Sequence, residues 1–234
     1  MRWPKLTRGV LIRRYKRFLA DVALDTGEKI TAFTPNTGTL LSCAIPGSPV
    51  WLAYYPGEQR KYNWQWVMVK PQRALVCIDT GVPNKVVADF AMRQRIPQLA
   101  GYREYLSETP FTPGTRFDLC CRVHESDMLG RCWVEVKSTT LVRDRVAQFP
   151  DAVTSRGAKH LRELTKAVKQ GDRGLQVYFV QRSDCSSFSP ADDIDPEYGK
   201  AVRAAAKAGV EVLALQARVT QQAVTIAGEL PVKL

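Results

Sequence analysis

The chain has 234 residues, of which 45% are hydrophobic and 24% are charged, so it is too apolar for a disordered protein and long enough to bury one large or two small cores. Its formal net charge of +11 favours a polyanionic partner, with nucleic acid first among the candidates, although many soluble proteins are simply basic. No stretch reaches the roughly 20 apolar residues of a membrane span, so we expect a cytoplasmic protein without membrane association.

The cysteines do not form a disulfide or zinc pattern. They lie at positions 43, 77, 120, 121, 132 and 185, mostly among apolar neighbours, and we expect reduced core thiols. Cys120, Cys121 and Cys132 with His124 could suggest zinc. However, no Cys-x-x-Cys pair is present and adjacent strand residues point to opposite faces, so structural zinc is not predicted.

The first third of the chain has the pattern of a small β-barrel. Between residue 9 and about residue 79, short β-type segments alternate with turn signals such as Pro35-Asn36-Thr37-Gly38. About five strands in this length predict an OB-like barrel, with an SH3-like barrel as the alternative. Asn84 is predicted to cap a helix that runs to about Arg95, which places the domain boundary near residue 82.

Residues 83–234 alternate strands and helices, which is typical of an α/β domain with a mixed sheet. Strands are predicted near residues 116–123, 132–138, 175–182 and 210–219. Helices are predicted near 155–169 and 196–208, and Gly209 is suited to end the second of them. The chain therefore divides into residues 1–82 and residues 83–234.

The barrel segment is rich in cations and aromatic residues. Strand alternation predicts that Arg13 and Arg17 share one face and Arg14 and Lys16 the other. Since unpaired cations are rarely buried, we expect a solvent-facing set that contacts phosphate or forms an ordinary solvated surface, namely Arg13, Arg14, Lys16, Arg17, Arg60 and Lys61. Tyr62, Trp64 and Trp66 also share a face, and a core position is favoured for Trp64 or Trp66 over base stacking.

A carboxylate pattern marks the second domain. Asp118 interrupts an apolar β-type segment, while Glu135 and Lys137 alternate with valines and so share one face of the next strand. If the two strands form a hairpin, Asp118 approaches Glu135, and the two charges then need a proton or a cation between them. Mg²⁺ or Mn²⁺ would suit carboxylate ligands.

An Asp followed by Glu-x-Lys on the next strand is the pattern of PD-(D/E)xK phosphodiesterases. In that chemistry the carboxylates hold a metal that activates water, and the lysine stabilises charge developing at the reacting phosphate. The alternative is an ordinary exposed pair of Glu135 and Lys137. Arg156, Lys159 and His160 lie in the first turns of the following helix, where phosphate binds readily. For His160, a hydrogen bond to a neighbouring residue within the fold is equally favoured.

The chain closely resembles the sugar fermentation stimulation protein A family. The matching segments run in order through nearly the whole chain: LIRRYKRFLADV (11–22), PNTG (35–38), RKY (60–62), RFD (116–118), EVKS (135–138), FPDAVT (149–154), RG (156–157), KHLREL (159–164) and FSPA (188–191). The resemblance implies an OB-like domain followed by a PD-(D/E)xK restriction-endonuclease-like domain, DNA binding, and an association with the regulation of sugar metabolism, particularly maltose. It implies metal positions at Asp118 and Glu135, a catalytic-type Lys137, and Glu108 as a weaker acidic candidate.

Three interpretations follow for the function. The first is a DNA-binding protein with a metal-dependent phosphodiesterase site, and the second is a non-catalytic DNA-binding regulator of sugar metabolism genes. The third, a metal- or nucleotide-binding metabolic enzyme, has the least support, because no phosphate-binding glycine loop or dinucleotide fingerprint is present. DNA binding is expected to be largely independent of sequence, since no helix-turn-helix or zinc-finger signature occurs.

Overall fold

The N-terminal part of the chain is a small β-barrel. The computed structural model describes residues 1–57, 60–124 and 130–234. The strands of the barrel are β1 (Leu6–Tyr15), β2 (Leu19–Leu24), β3 (Lys29–Phe33), β4 (Pro49–Tyr54), β5 (Trp64–Val69) and β6 (Val76–Cys77). They pair in the order β3-β2-β1-β4-β5-β6, and a parallel contact between Phe33 and Gln65 joins β3 to β5 and closes the barrel. The predicted OB-like fold is confirmed.

The barrel interior is filled by side chains that point inward at alternating positions along the strands. Leu11, Val22, Leu52 and Trp66 are all almost completely buried in one cluster. Trp64 is partly buried and packs against the same cluster. Both tryptophans therefore contribute to the core, as favoured from the sequence, and neither is placed as an open base-stacking surface.

The second part of the chain is built on a mixed sheet. Its helices are α1 (Val82–Met92), α2 (Ser155–Lys169) and α3 (Pro196–Lys207), and a short 3-10 turn covers Pro97–Leu99. Its strands are β7 (Glu104–Thr112), β8 (Thr115–Arg122), β9 (Cys132–Thr139), β10 (Leu141–Arg143), β11 (Val146–Phe149), β12 (Arg173–Val180), β13 (Ser187–Pro190), β14 (Glu211–Val219) and β15 (Val224–Leu230). The large sheet has the order β15-β14-β12-β9-β8-β7, with β9, β12 and β14 parallel, and β10-β11-β13 form a small second sheet.

The predicted bounds agree with the structure for helix α2 and differ from it for helix α1. Helix α2 has the predicted bounds, because the Thr154 side chain accepts a hydrogen bond from the Gly157 amide and caps its first turn. Helix α1 begins earlier than predicted, at Val82, with Pro83 in its first turn. The prediction of Asn84 as the cap is therefore wrong. The Asn84 side chain instead donates a hydrogen bond to Asp118 of β8.

The barrel and the mixed sheet share one hydrophobic core. The outer side of the barrel contributes Trp51 and Met68 to a cluster that also contains Val86 of α1 and Val134 of β9. Helices α2 and α3 cover the opposite face of the sheet, where Leu161 and other apolar residues form a separate cluster. Since the cluster of Trp51, Met68, Val86 and Val134 contains residues from both parts of the chain, burial of apolar area fixes the barrel against the sheet.

Polar contacts add to this junction. The Arg182 side chain is only 4% exposed, pairs with Asp184, and donates to the Ser42 hydroxyl at 2.9 Å. On another loop, Asp151 accepts a hydrogen bond from the Leu40 amide at 2.9 Å. The barrel loop is thus held to the second domain by hydrogen bonds of partly or fully buried polar groups.

All six cysteines are buried and carry free thiols. Within the described residues, no helix combines the length and the apolar composition that crossing a membrane requires.

The shared core predicts that the chain unfolds as one unit. Met68→Ala, at a fully buried position, should lower the free energy of unfolding by about 2–5 kcal/mol. The matched control Met92→Ala, at a position 55% exposed, should change it by less than about 0.5 kcal/mol. Urea unfolding followed by both tryptophan fluorescence and far-UV circular dichroism should give one coincident transition. Separate transitions in the two signals would contradict the shared core.

Candidate active site

Strands β8 and β9 part at Asp118 and Glu135. The antiparallel pairing includes Leu119 with Val134 and stops there, and one residue further Asp118 Oδ2 accepts the Val136 amide at 2.6 Å. A side chain thus takes the backbone donor that a neighbouring strand would otherwise satisfy. The expected hairpin is present, and it places the two carboxylates beside each other where the sheet opens.

The Asp118 carboxylate is held at both oxygens. Asn84 of α1 donates to Oδ1 at 2.7 Å, and the Val136 amide donates to Oδ2. Burial, and next the nearby charge of Glu135, raise the pKa of Asp118 to about 6. The geometry of this carboxylate is therefore set by two donors, while its ionisation is opposed by its surroundings.

Glu135 is a buried carboxylate with cationic support. It is 3% exposed, and its Oε1 accepts hydrogen bonds from Lys137 Nζ and His160 Nδ1. Burial opposes ionisation, but the His160 and Lys137 contacts together outweigh it and hold the pKa of Glu135 below its usual value. Glu135 Oε2 is buried and has no hydrogen-bond partner within the described part of the chain. One carboxylate oxygen is thus left for a ligand.

His160 lies inside the fold. It is 5% exposed, its ring meets Phe117 edge-on, and Arg156 Nε donates to its Nε2 at 3.4 Å. A neutral ring that donates from Nδ1 to Glu135 and accepts at Nε2 satisfies both contacts. Of the two interpretations of His160, the structure agrees with a hydrogen bond inside the fold, because its two nitrogens contact Glu135 and Arg156. Its ring also lines a cavity, and a DNA contact stays a prediction.

Two cavities open on either side of Asp118. The first, of about 870 Å³, is lined by Arg116, Lys159 and Glu108 among others. The second, of about 580 Å³, is lined by Glu135, Lys137 and Asn84, and also by Arg17 of the barrel. Because Asp118 and Arg156 line both cavities, the two cavities adjoin and form one cleft, and Glu135 lines its second part. We call this cleft the carboxylate cleft.

A third cavity continues the cleft along the barrel. It has a volume of about 650 Å³ and is lined by Arg13, Tyr15 and Val153, and it shares Arg17 with the second cavity. The structure thus brings most of the predicted phosphate-binding residues into one series of cavities, namely Arg13, Arg14, Arg17, Arg156, Lys159 and His160.

Arg14 differs from the other barrel cations. Its guanidinium donates to the carbonyls of Asn36, Gly38 and Thr39 at 2.9, 2.7 and 2.8 Å. Arg14 is only partly exposed, although it lines the third cavity, so the prediction of a solvent-facing cation holds in part. Its donors are used to hold the loop that borders the cleft, and such a charged group is well suited to several carbonyl acceptors.

The remaining barrel cations are also placed differently from the simple strand pattern. Strand β1 ends at Tyr15, and Lys16 and Arg17 adopt left-handed backbone conformations with φ of 47° and 65°, so the expected alternation of faces does not reach them. Arg60 and Lys61 are exposed and lie near the rings of Tyr55 and Tyr62. Among the described residues that line the three cavities, neither Arg60 nor Lys61 occurs.

Glu108 is located on the strand next to Asp118. It is exposed, has a left-handed φ of 51°, and lies between Ser107 and Thr109, which pair with the residues on either side of Asp118. It lines the first cavity. The described residues contain no group of three or more His, Cys, Asp or Glu side chains arranged to hold an ion. Of the three acidic residues predicted as metal positions, the structure brings Asp118 and Glu135 together.

Asn84 is the site residue that sequence reasoning missed. A polar residue near the start of a helix indicates a cap, but Pro83 before it favours a start at or before residue 83. With that start, Asn84 lies within the first turn of α1, where a side chain can contact β8. The position of the proline was the available signal.

Comparisons with known proteins cover the whole chain. The family model described as "SfsA N-terminal OB domain" matches residues 12–78, and the one described as "Sugar fermentation stimulation protein RE domain" matches residues 81–223. A sugar fermentation stimulation protein homolog of Citrifermentans bemidjiense is 46% identical over 235 residues, covering 100% of both chains. The homolog of Geobacter sulfurreducens is 45% identical over 227 residues, covering 97% of this chain and 96% of that protein.

A solved structure has the same fold. The structure of Pyrococcus furiosus SfsA in complex with Ca²⁺ matches with a TM-score of 0.88 at 26% sequence identity, covering 100% of this chain and 98% of that one. The agreement extends over the barrel and the mixed sheet together.

The position of His160 predicts that it supports Glu135. His160→Ala should lower the free energy of unfolding by about 1–3 kcal/mol, because a buried carboxylate loses one of its two donors. Lys159→Ala, an exposed neighbour on the same helix, should change it by less than about 0.5 kcal/mol. Urea unfolding measures both values. Unchanged stability in His160→Ala, accompanied by weaker DNA binding, would instead favour a direct DNA contact.

Proposed function

The chain belongs to the sugar fermentation stimulation protein family, and from this premise we propose that it binds DNA and cleaves phosphodiester bonds with a divalent metal ion. The observation that carries the proposal is the meeting of Asp118 and Glu135, with Lys137 beside them, in a cleft lined by cations of both domains.

Asp118 and Glu135 are suited to hold Mg²⁺ or Mn²⁺. Glu135 Oε2 is buried without a partner among the described residues, and burial together with the charge of Glu135 disfavours the ionised form of Asp118. A cation between the two carboxylates would give Oε2 a partner and stabilise the ionised form of Asp118. Two carboxylate ligands suit Mg²⁺, which usually keeps several waters. The solved Pyrococcus furiosus relative is a complex with Ca²⁺, which supports a divalent site in the family.

The residues around the carboxylates have distinct tasks in this proposal. When bound, the metal ion would activate water and stabilise charge on the phosphate. Lys137, beside Glu135, would stabilise the negative charge that develops on the phosphate during the reaction. Asn84 and His160 keep Asp118 and Glu135 in fixed orientations by hydrogen bonds.

The cations of the cleft are proposed to bind the DNA backbone. Arg17, Arg156 and Lys159 line its cavities, and phosphate contacts carry no base information, so binding is expected to be largely independent of sequence. A non-catalytic regulator of sugar metabolism genes would use the same cations but would have no need of a metal beside Lys137.

Metal binding and cleavage should separate in two variants. Asp118→Ala should weaken Mn²⁺ or Mg²⁺ binding by at least about tenfold, since it removes a ligand. Lys137→Ala should bind metal nearly normally but show a turnover about 10²-fold or more below that of the wild type, because its charge acts mainly in the transition state. Calorimetry and cleavage of single-stranded, double-stranded and branched DNA measure the two effects.

Lys169→Ala serves as the control, because Lys169 is exposed at the far end of α2 and should affect neither property. A wild type that binds no metal, with or without DNA, would remove the proposed site. One that binds metal and DNA but cuts no substrate would favour the regulator.

The cleft cations should determine the salt dependence of DNA binding. Arg13→Ala/Arg17→Ala should reduce the slope of log K against log salt by up to about 1.8 for duplex DNA, or about 0.9 for each phosphate that the protein no longer neutralises. Arg60→Ala/Lys61→Ala removes the same charge from the barrel but outside the cavities, and should change the slope less. Fluorescence anisotropy titrations across a salt series measure this. Equal changes in both double variants would contradict a phosphate path through the cleft.

A further inference from the structure

An exposed pair of aromatic rings lies on the barrel, close in sequence to residues that line the carboxylate cleft. Phe18 is 42% exposed and Phe33 is 37% exposed, and their ring centroids are 6.1 Å apart. Each is close in sequence to a residue that lines the second cavity, because Phe18 follows Arg17 and Phe33 precedes Pro35 by two positions. We call Phe18 and Phe33 the aromatic pair.

The backbone holds the aromatic pair in place. Phe33 is paired with Leu19 in the β2–β3 ladder, and its neighbours Ala32 and Thr34 are completely buried, so its own side chain must point outward. The Thr34 amide donates to the Phe18 carbonyl at 2.9 Å, which ties the β1–β2 turn to the end of β3. The rings are therefore presented by an ordered part of the barrel and leave part of their surface to solvent.

The cations around the pair suit a polyanionic ligand with flat apolar parts. Lys16 is exposed in the turn after β1, and Arg13 is exposed near the end of β1, where it pairs with Asp21 at 2.7 Å. Arg17 lines both the third cavity and the carboxylate cleft. Aromatic faces next to cations are the combination by which proteins bind unpaired bases together with their phosphates. A duplex offers only phosphates here, since the faces of its bases are stacked on one another.

Val153 adds an exposed apolar side chain to the same cavities. It is 77% exposed and lines both the second and the third cavity. Its loop is anchored on both sides, because Asp151 accepts the Leu40 amide and Asp195 accepts the Thr154 amide at 2.8 Å. An anchored apolar tip can contact a base that has left its stack.

We propose that the polynucleotide of this protein is single-stranded where it crosses the barrel, with an unpaired base stacked on Phe18 and Phe33 as the strand enters the carboxylate cleft. This inference rests on the proposed DNA binding and adds the class of DNA that is bound. It does not depend on metal binding or on cleavage.

The test compares three labelled probes in the presence of chelator: a thymidine single strand of about 15 nucleotides, an abasic strand of the same length, and a duplex of that length. The wild type should bind the thymidine strand more tightly than the abasic strand. Phe18→Ala/Phe33→Ala should weaken binding of the thymidine strand about five- to a hundredfold, the reduction expected when a base is no longer stacked, and leave binding of the other two probes unchanged.

The salt dependence provides a second readout. Removal of stacking should lower the affinity of the thymidine strand by the same factor at every salt concentration, whereas removal of a phosphate-binding cation changes the slope. Phe18→Tyr/Phe33→Tyr keeps both rings and should retain wild-type binding. Met92→Ala, which removes an exposed apolar side chain elsewhere, should also bind normally. Thermal unfolding of each variant confirms that the fold is kept.

The outcomes distinguish this inference from the proposed function. If the wild type binds duplex and single strand with equal affinity and the alanine double variant is unchanged, the aromatic pair is not a base platform, although DNA binding stands. If the wild type binds none of the three probes at low salt, both proposals are wrong. A double variant that weakens all probes equally would also overturn the stacking role.

Discussion

Charge compensation of Glu135 is the interaction on which the site depends. A carboxylate buried in an apolar sheet is costly unless it is paired and hydrogen-bonded, and Glu135 receives its partners from Lys137 on β9 and His160 on α2. Because one of these partners lies on a helix, the same contact fixes α2 against the sheet. Arg156, which contacts His160, is thereby placed at the edge of the cleft.

The shared core fixes the barrel against the same sheet. Trp51 and Met68 pack with Val134, a neighbour of Glu135 in the chain, on the face of β9 opposite the carboxylate. The two faces of one strand therefore carry the domain junction and the site. A barrel fixed in this way can contribute Arg17 to a cleft whose carboxylates belong to the other domain.

Sequence periodicity predicted the features that depend on local alternation, namely the common face of Glu135 and Lys137 and the bounds of α2. Periodicity did not predict side-chain positions that are set by contacts with residues distant in the sequence. Arg14 donates hydrogen bonds to carbonyls more than 20 residues away, and His160 of α2 contacts Glu135, which is 25 residues away on β9. Polar and proline-containing edge strands such as β7, with Pro110, have no clear alternation, so their existence depends on pairing with β8.

The electrostatics of the cleft bear on its chemistry. A surface that only binds DNA needs cations, and two carboxylates between Arg17, Arg156 and Lys159 would repel the phosphates that these cations attract. Lys137 offsets one of the two charges, while burial and Glu135 raise the pKa of Asp118 to about 6, so at neutral pH Asp118 is still mostly ionised. A divalent cation bound by both carboxylates would reverse the sign of this part of the cleft. In the proposed function the carboxylates would then assist phosphate binding through the metal, so that the acidic and the basic residues of the cleft would bind the same substrate.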